Sequence, residues 1–256
     1  MSEDLLLQGS VRQDEADCAR TMIGAVLVRH HLTDRVRVRL TVAPGRSGPV
    51  VVQVNLRLFG APARVQVAAR TAAEAIAAVV VRLDRQIKRL SGAWEPWPWP
   101  DPERLALSEP GGAAITRRKT VALGPRRSCQ AGSFLAAMDY DVSLFADADT
   151  GEDAVVYRAG PTGLRIARQR SMRPPAPTGT PALTVNPRPT PVLTPPAAAQ
   201  RLAEGWLPFL FFTAAGTGRG NLVYRRYDGG IGLMVPRPAE PACHSVRILG
   251  RPSKTT

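Results

Sequence analysis

Hydrophobic and polar residues alternate in three runs near the start of the chain, VRVRLTV (36–42), VVVQVNLRL (50–58) and ARVQVA (63–68). A period of two predicts strands with one buried and one wet face. Val36, Val38, Leu40, Val52, Val54, Leu56, Leu58, Val65 and Val67 fall on the apolar side, and Arg37, Arg39, Gln53, Asn55, Arg57, Arg64 and Gln66 on the other. The short FGAP turn at 59–62 makes the last two runs a hairpin. Thr71 then stands three residues before Glu74, the spacing at which a hydroxyl and a carboxylate cap a helix reciprocally. Downstream, Ile76, Val79, Val80, Leu83, Ile87 and Leu90 fall within about 100° of one another on a helical wheel, with Arg82, Arg85 and Arg89 nearly opposite. This helix is expected to bury one stripe and show a basic ridge to solvent. Residues 14–31 put acids in the first turn and Arg29, His30 and His31 in the last, as a helix dipole favours. A short strand near Leu5–Leu7 precedes that helix. The first piece therefore reads as β-α-β-β-β-α, a sheet with two helices on one face.

Proline divides the rest. It recurs through 91–112 and again through 172–196, at a density that excludes helix and central strand and favours extended linker. Beyond the first linker the chain repeats itself. A shift of 67 places superposes Phe145 on Phe212, Thr150-Gly151 on Thr217-Gly218, Val156-Tyr157-Arg158 on Val223-Tyr224-Arg225 and Gly163 on Gly230 without a gap. Each copy reads as a three-stranded antiparallel unit preceded by a short apolar segment. The predicted class is α+β: an N-terminal domain (1–92), a Pro/Trp-rich linker (93–114), a first small β unit (115–170), a Pro-rich linker (171–187), a second unit (188–236) and a basic tail (237–256). A unit of about 50 residues cannot bury a sufficient core alone. Leu207, Phe209 and Phe211 share one face of a strand, and Leu210 and Phe212 the other, so both faces need cover. Phe145, Tyr157, Phe209, Phe211, Phe212 and Tyr224 are the candidates for a pairing interface, the two tyrosines being equally readable as core aromatics. The extended linker gives the two copies a high effective concentration for each other; pairing within the chain as a pseudo-dimer is expected.

Charge changes the picture. The 256 residues carry 34 Lys and Arg against 21 Asp and Glu, a formal net charge of +13, which favours polyanionic partners. The excess is uneven: residues 181–256 hold nine bases and three acids, whereas 1–105 hold 15 and 11. Three cysteines, Cys18, Cys129 and Cys243, are too few and too far apart for a disulfide framework or a zinc site. With an acidic MSED start and no apolar run near spanning length, a cytoplasmic protein outside the membrane is expected. The turn DADTGED (147–153) has its glycine fifth rather than sixth and Arg158 at position twelve, which argues against calcium. GTGRGN (216–221) lies between two apolar strands with no helix to follow, so it reads as a hairpin turn, not a phosphate cradle. His30, His31 and His244 have no partner at ligand or catalytic spacing. No metal, cofactor, small-molecule substrate or enzymatic activity is expected. Trp94, Trp97 and Trp99 are read as packing the first linker onto the N-terminal domain.

The order of the first piece, its segment QVNLRLFGAPARVQVAARTAAEAIAAVVVRLDRQIKRL (53–90) and the repeats DVSLFADADTGEDAVVYRAGPTGLRI (141–166) and PFLFFTAAGTGRGNLVYRRYDGGIGLM (208–234) resemble the ribosome hibernation promoting factor family. Two C-terminal units after a shortened linker, with ITRRK at 115–119 and RPTPVLT at 188–194, are similar to an actinobacterial branch of its long form. The resemblance implies a partner, the small ribosomal subunit and its rRNA in the mRNA and tRNA path, and blocked translation in dormancy or stress. It implies that Arg82, Arg85, Lys88 and Arg89 contact rRNA phosphates. The strand-borne Arg37, Arg39, Arg57 and Arg64, on the wet face of the sheet, are a second candidate surface. An interaction factor that keeps the fold and acts on another protein through its paired units is the competing reading.

Overall fold

In the computed structural model the described residues are 3–8, 11–42, 49–93, 95, 99–107, 111–160, 163–175 and 183–238. Trp94, Trp97, His244, Cys243 and most of the expected basic tail lie outside them.

The N-terminal domain runs β1 (Glu3–Gln8), α1 (Gln13–Arg29), β2 (Val36–Val42), β3 (Val50–Leu58), β4 (Ala61–Ala69) and α2 (Ala72–Ser91), the order expected. Its sheet is β1-β2-β3-β4, with β1 parallel to β2 and the rest antiparallel. Leu58 pairs with Ala61, so the β3–β4 loop is only Phe59-Gly60, both at positive φ (51° and 77°), the twist a two-residue hairpin needs. Thr71 Oγ1 accepts the Glu74 amide at 3.2 Å and Glu74 Oε2 accepts that of Thr71 at 3.3 Å, the reciprocal cap read from the sequence. Ile76, Val79, Leu83 and Ile87 of α2 and Ile23, Val26 and Leu27 of α1 bury against Val38, Leu40, Val52, Val54, Val65 and Val67. This is one core beneath one face of the sheet.

The repeats follow the 67-residue shift element by element. The first holds β5 (Ile115–Val121), β6 (Pro125–Arg126), α3 (Ser128–Ala137), β7 (Val142–Asp147), β8 (Asp153–Arg158) and β9 (Leu164–Arg168); the second holds β10 (Leu183–Val185), β11 (Val192–Leu193), α4 (Pro195–Glu204), β12 (Phe209–Ala214), β13 (Gly220–Arg225) and β14 (Ile231–Pro236). The short apolar segments read before each unit are helices, and the stretch expected as a second linker contributes β10. The first strand of each repeat is exchanged. The two sheets are β10-β9-β8-β7-β6 and β11-β12-β13-β14-β5, with β5 parallel to β14 and β10 parallel to β9.

Each sheet covers its outer face with its own helix. Phe145 packs with Ala131 and Leu135 of α3, and Phe212 with Ala198 and Leu202 of α4. The inner faces meet through Leu144, Val155 and Ala167 of one unit and Phe211 and Leu222 of the other, flanked by Val121, Val142, Tyr157, Phe209 and Met234. Polar clasps border this core. Asp153 accepts from Arg219 Nε at 2.7 Å, Arg219 Nη2 at 3.1 Å and the Gly220 amide at 2.8 Å, and Gln169 Nε2 donates to Thr213 Oγ1 at 3.1 Å and Gly218 O at 2.8 Å.

Candidate nucleic-acid interface

The basic ridge of α2 does not face solvent as a whole. Its buried stripe is widened by Arg82 and Gln86, 3% and 2% exposed, because the C-terminal end of α3 docks between α2 and the free edge of β4. A helix C-terminus leaves carbonyls unpaired and carries partial negative charge. Those carbonyls meet donors here: Gln86 Nε2 reaches Ala136 O at 2.8 Å and Ala137 O at 3.1 Å, Arg89 Nη2 reaches Ala136 O at 3.2 Å, and Arg64 Nη1 reaches Met138 O at 3.4 Å. Two residues past α3, Asp139 turns into the left-handed region (φ 50°) and enters the junction. It accepts from Arg82 Nε at 2.8 Å and Nη2 at 2.7 Å, from Arg104 Nη2 at 3.0 Å, and from the edge amide of Gln66 at 3.2 Å. The first linker adds Asp101, whose carboxylate lies 2.8 Å from Arg82 Nη2.

Burial alone would raise the Asp139 carboxyl, but the Arg82 hydrogen bonds and the charges of Arg104 and Arg82 outweigh it and hold the group below its ordinary value. Arg158, desolvated beside the same cluster, is pulled down to about 10. The expectation that Arg82, Arg85 and Arg89 form one solvent-facing ridge is therefore corrected. Arg82 is enclosed and Arg89 half-buried. Arg85 and Lys88 remain exposed, yet each faces an acid, Glu103 at 2.6 Å and Asp84 at 2.7 Å. Asp84 is itself held at about 2 by Lys88 and His30.

The other candidate surface differs in its charge balance. Register places Arg37 beside Asn55 and Arg64, and Arg39 beside Gln53 and Gln66, in two rows across the wet face of β2, β3 and β4. Arg37 and Arg57 are exposed and Arg39 is half-buried, whereas Arg64 is buried against Tyr140, which corrects its reading as part of a wet surface; among the described residues Arg37 and Arg39 make no ion pair. A rigid sheet carrying unneutralised guanidiniums can hold phosphate oxygens without first breaking an internal pair.

The pairing candidates separate into two groups. Tyr157, Phe209 and Phe211 lie between the units, with Tyr157 edge-on to Phe209 at 5.4 Å between ring centroids. Tyr224 is half-buried on the same face of its sheet. Phe145 and Phe212 do not join them, which corrects their assignment to the pairing interface: they point under α3 and α4 into the separate unit cores. Sequence reasoning also missed Asp139, Asp101 and Arg104. One signal was available, because Asp139-Tyr140-Asp141 aligns with Trp206-Leu207-Pro208 at the 67-residue shift, so the acids belong to one copy alone.

No group of three or more His, Cys, Asp or Glu residues among those described is arranged to hold a metal ion, and no described helix is long and apolar enough to cross a membrane.

The structure is an α+β domain with a cationic sheet face, tied to a duplicated β unit. Comparison with known proteins sharpens that class. The chain is 50% identical over 235 residues, 89% of its own length and 86% of the relative's, to the protein named dormancy associated translation inhibitor in Mycobacterium tuberculosis strains CDC 1551 / Oshkosh and ATCC 25618 / H37Rv. Residues 112–166 match the family described as Sigma 54 modulation/S30EA ribosomal protein C terminus. Similar solved structures include the N-terminal domain of Thermus thermophilus Protein Y (20% identity, TM-score 0.30, 35% of this chain and 99% of that one). A ribosomal subunit interface protein from Coxiella burnetii is also similar (8% identity, TM-score 0.31, 35% and 98%). The chain belongs to the ribosome hibernation family, a family of non-enzymatic translation factors.

Proposed function

We propose that this protein inhibits translation in dormancy or stress by binding rRNA of the small ribosomal subunit in the mRNA and tRNA path, with its two C-terminal units paired within one chain. The observation that carries the reading is the 50% identity, across 89% of the chain, to a relative named for translation inhibition. The geometry supports it in two ways. Structured RNA is recognised mainly through backbone and shape, and Arg37 and Arg39 sit on a rigid sheet and make no ion pair among the described residues. Each C-terminal sheet takes an edge strand from the other copy and the two apolar inner faces bury one another, which leaves a second molecule little to add.

In a reconstituted translation reaction the purified protein should reduce synthesis, and R37E/R39E should restore most of it. Undiminished inhibition by R37E/R39E would remove the sheet from the mechanism, and no inhibition by the wild type would remove the reading. Analytical ultracentrifugation at low micromolar concentration should give a mass near 27.5 kDa; twice that mass would contradict pairing within the chain.

A further inference from the structure

We infer that the docked chain presents one composite surface for RNA phosphates, in which Arg117 and Lys119 of the exchanged strand β5 extend the cationic face that Arg37 and Arg39 begin on the N-terminal sheet. The inference rests on the RNA-binding reading above and adds a C-terminal half to its site.

Strand β5 does not run in simple register along β14. Ile115 pairs with Ile231 but Arg117 with Gly232, so Thr116 is an extra residue at a bulge, its Oγ1 donating to Ile231 O at 3.2 Å. Bulges re-aim the side chains that follow them. This one sets Arg117, Lys119 and Val121 on the inner face of the sheet, in line with Gly232, Met234 and Pro236. Val121 closes the apolar core between the units. Moving back along the strand, the same face leaves that core at Lys119, half-buried, and Arg117, exposed. Gly232 makes room there, because any Cβ at that position would collide with the ring of Tyr224.

The junction brings the two cationic faces together. Arg64 of β4 lies over the Tyr140 ring, 4.7 Å from its centroid. Besides Arg117, the cations around Lys119 are Arg64 and Arg39 of the N-terminal sheet and Arg226 of the β13–β14 turn; burial, then their repulsion, lowers the lysine's pKa. Arg226 is paired with Asp228 at 2.5 Å. Arg37, Arg39, Arg117 and Lys119 make no ion pair among the described residues, in contrast to Arg82, Arg85 and Lys88 of α2. Like charges gathered from distant segments repel one another, and a run of phosphates relieves that repulsion. The Asp139 junction holds the two halves in place.

The test measures binding of the full-length protein to purified small ribosomal subunits across a salt series. Wild-type binding is required by the proposed function, and its absence would overturn that reading first. Given wild-type binding, R117Q/K119Q should lose about tenfold or more in affinity and flatten the slope of log affinity against log salt by about 2. R118Q, whose side chain alternates to the other face of β5, should bind as the wild type does. D139A, which loosens the junction, should also bind more weakly. Unchanged affinity and slope in R117Q/K119Q would overturn the inference. So would tighter binding by D139A, which would make the docked form a block on α2 instead of a site.

Discussion

Removing the carboxylate of Asp139 should undock the N-terminal domain while leaving both bodies folded. The junction gathers five arginines, Arg64, Arg82, Arg89, Arg104 and Arg158, around three aspartates, Asp101, Asp139 and Asp141. Its formal charge is +2, and D139A raises it to +3. The variant loses two hydrogen bonds from Arg82, one from Arg104 and one from the Gln66 amide. It leaves Arg82, 3% exposed, with the Asp101 carboxylate still 2.8 Å away. Breaking a buried ion pair from one side costs about 3–5 kcal/mol, which is a weakening of docking by about a hundred- to a few thousand-fold. Each body keeps its own apolar core, so far-UV circular dichroism should not change. Small-angle scattering should show a larger radius of gyration, and trypsin should cut after Arg104, whose side chain is 14% exposed in the docked form. D139N, which keeps the volume without the charge, should fall between. An unchanged radius of gyration and an unchanged digestion pattern in D139A would refute the assignment of Asp139 as the residue that holds the domains together.

Three further outcomes follow from the same structure. Phe211→Ala empties a ring site that is 7% exposed between the units and should cost about 3–5 kcal/mol, read as a lower urea midpoint for the C-terminal half. The Asp139 pKa is depressed in the fold, so its contribution is complete above the ordinary carboxylate value of about 4 and is lost as pH falls through the folded value; scattering in an acid series should show the chain opening below about pH 4 and not between pH 6 and 8. Gly232→Ala forces the Tyr224 ring aside and should cost about 1–3 kcal/mol, whereas the aligned position of the first unit already carries Arg165 beside Tyr157, and Arg165→Ala should be mild by the same thermal-melt measurement.

Much of the fold was legible because one physical rule governed each stretch. The N-terminal strands bury one face and wet the other, so alternation gave their limits and which side chains share a face, and Thr71 with Glu74 marked the helix start. The repeat gave the units. What escaped the sequence was settled by long-range geometry. Strands β5 and β10 would complete either edge equally well by pattern, and only the packing of the two sheets decides the exchange. Phe211 and Phe212 lie on opposite faces of a strand that is apolar on both, so periodicity separates them without saying which meets the helix and which meets the other unit. Arg82 looks like the solvated face of an amphipathic helix, because its partner Asp139 is 57 residues away. Arg37 and Arg39 needed no distant partner, and their face could be read directly from β2.

We propose that this chain silences ribosomes by occupying the small subunit as a single molecule. Sucrose-gradient co-sedimentation of the purified protein with ribosomes and separated subunits, at low and near-physiological salt, tests it most directly. The protein should comigrate with small subunits and single ribosomes, more strongly at low salt, without a peak of paired ribosomes. Absence from every ribosomal fraction at both salts, or a shift of ribosomes into pairs, would contradict it.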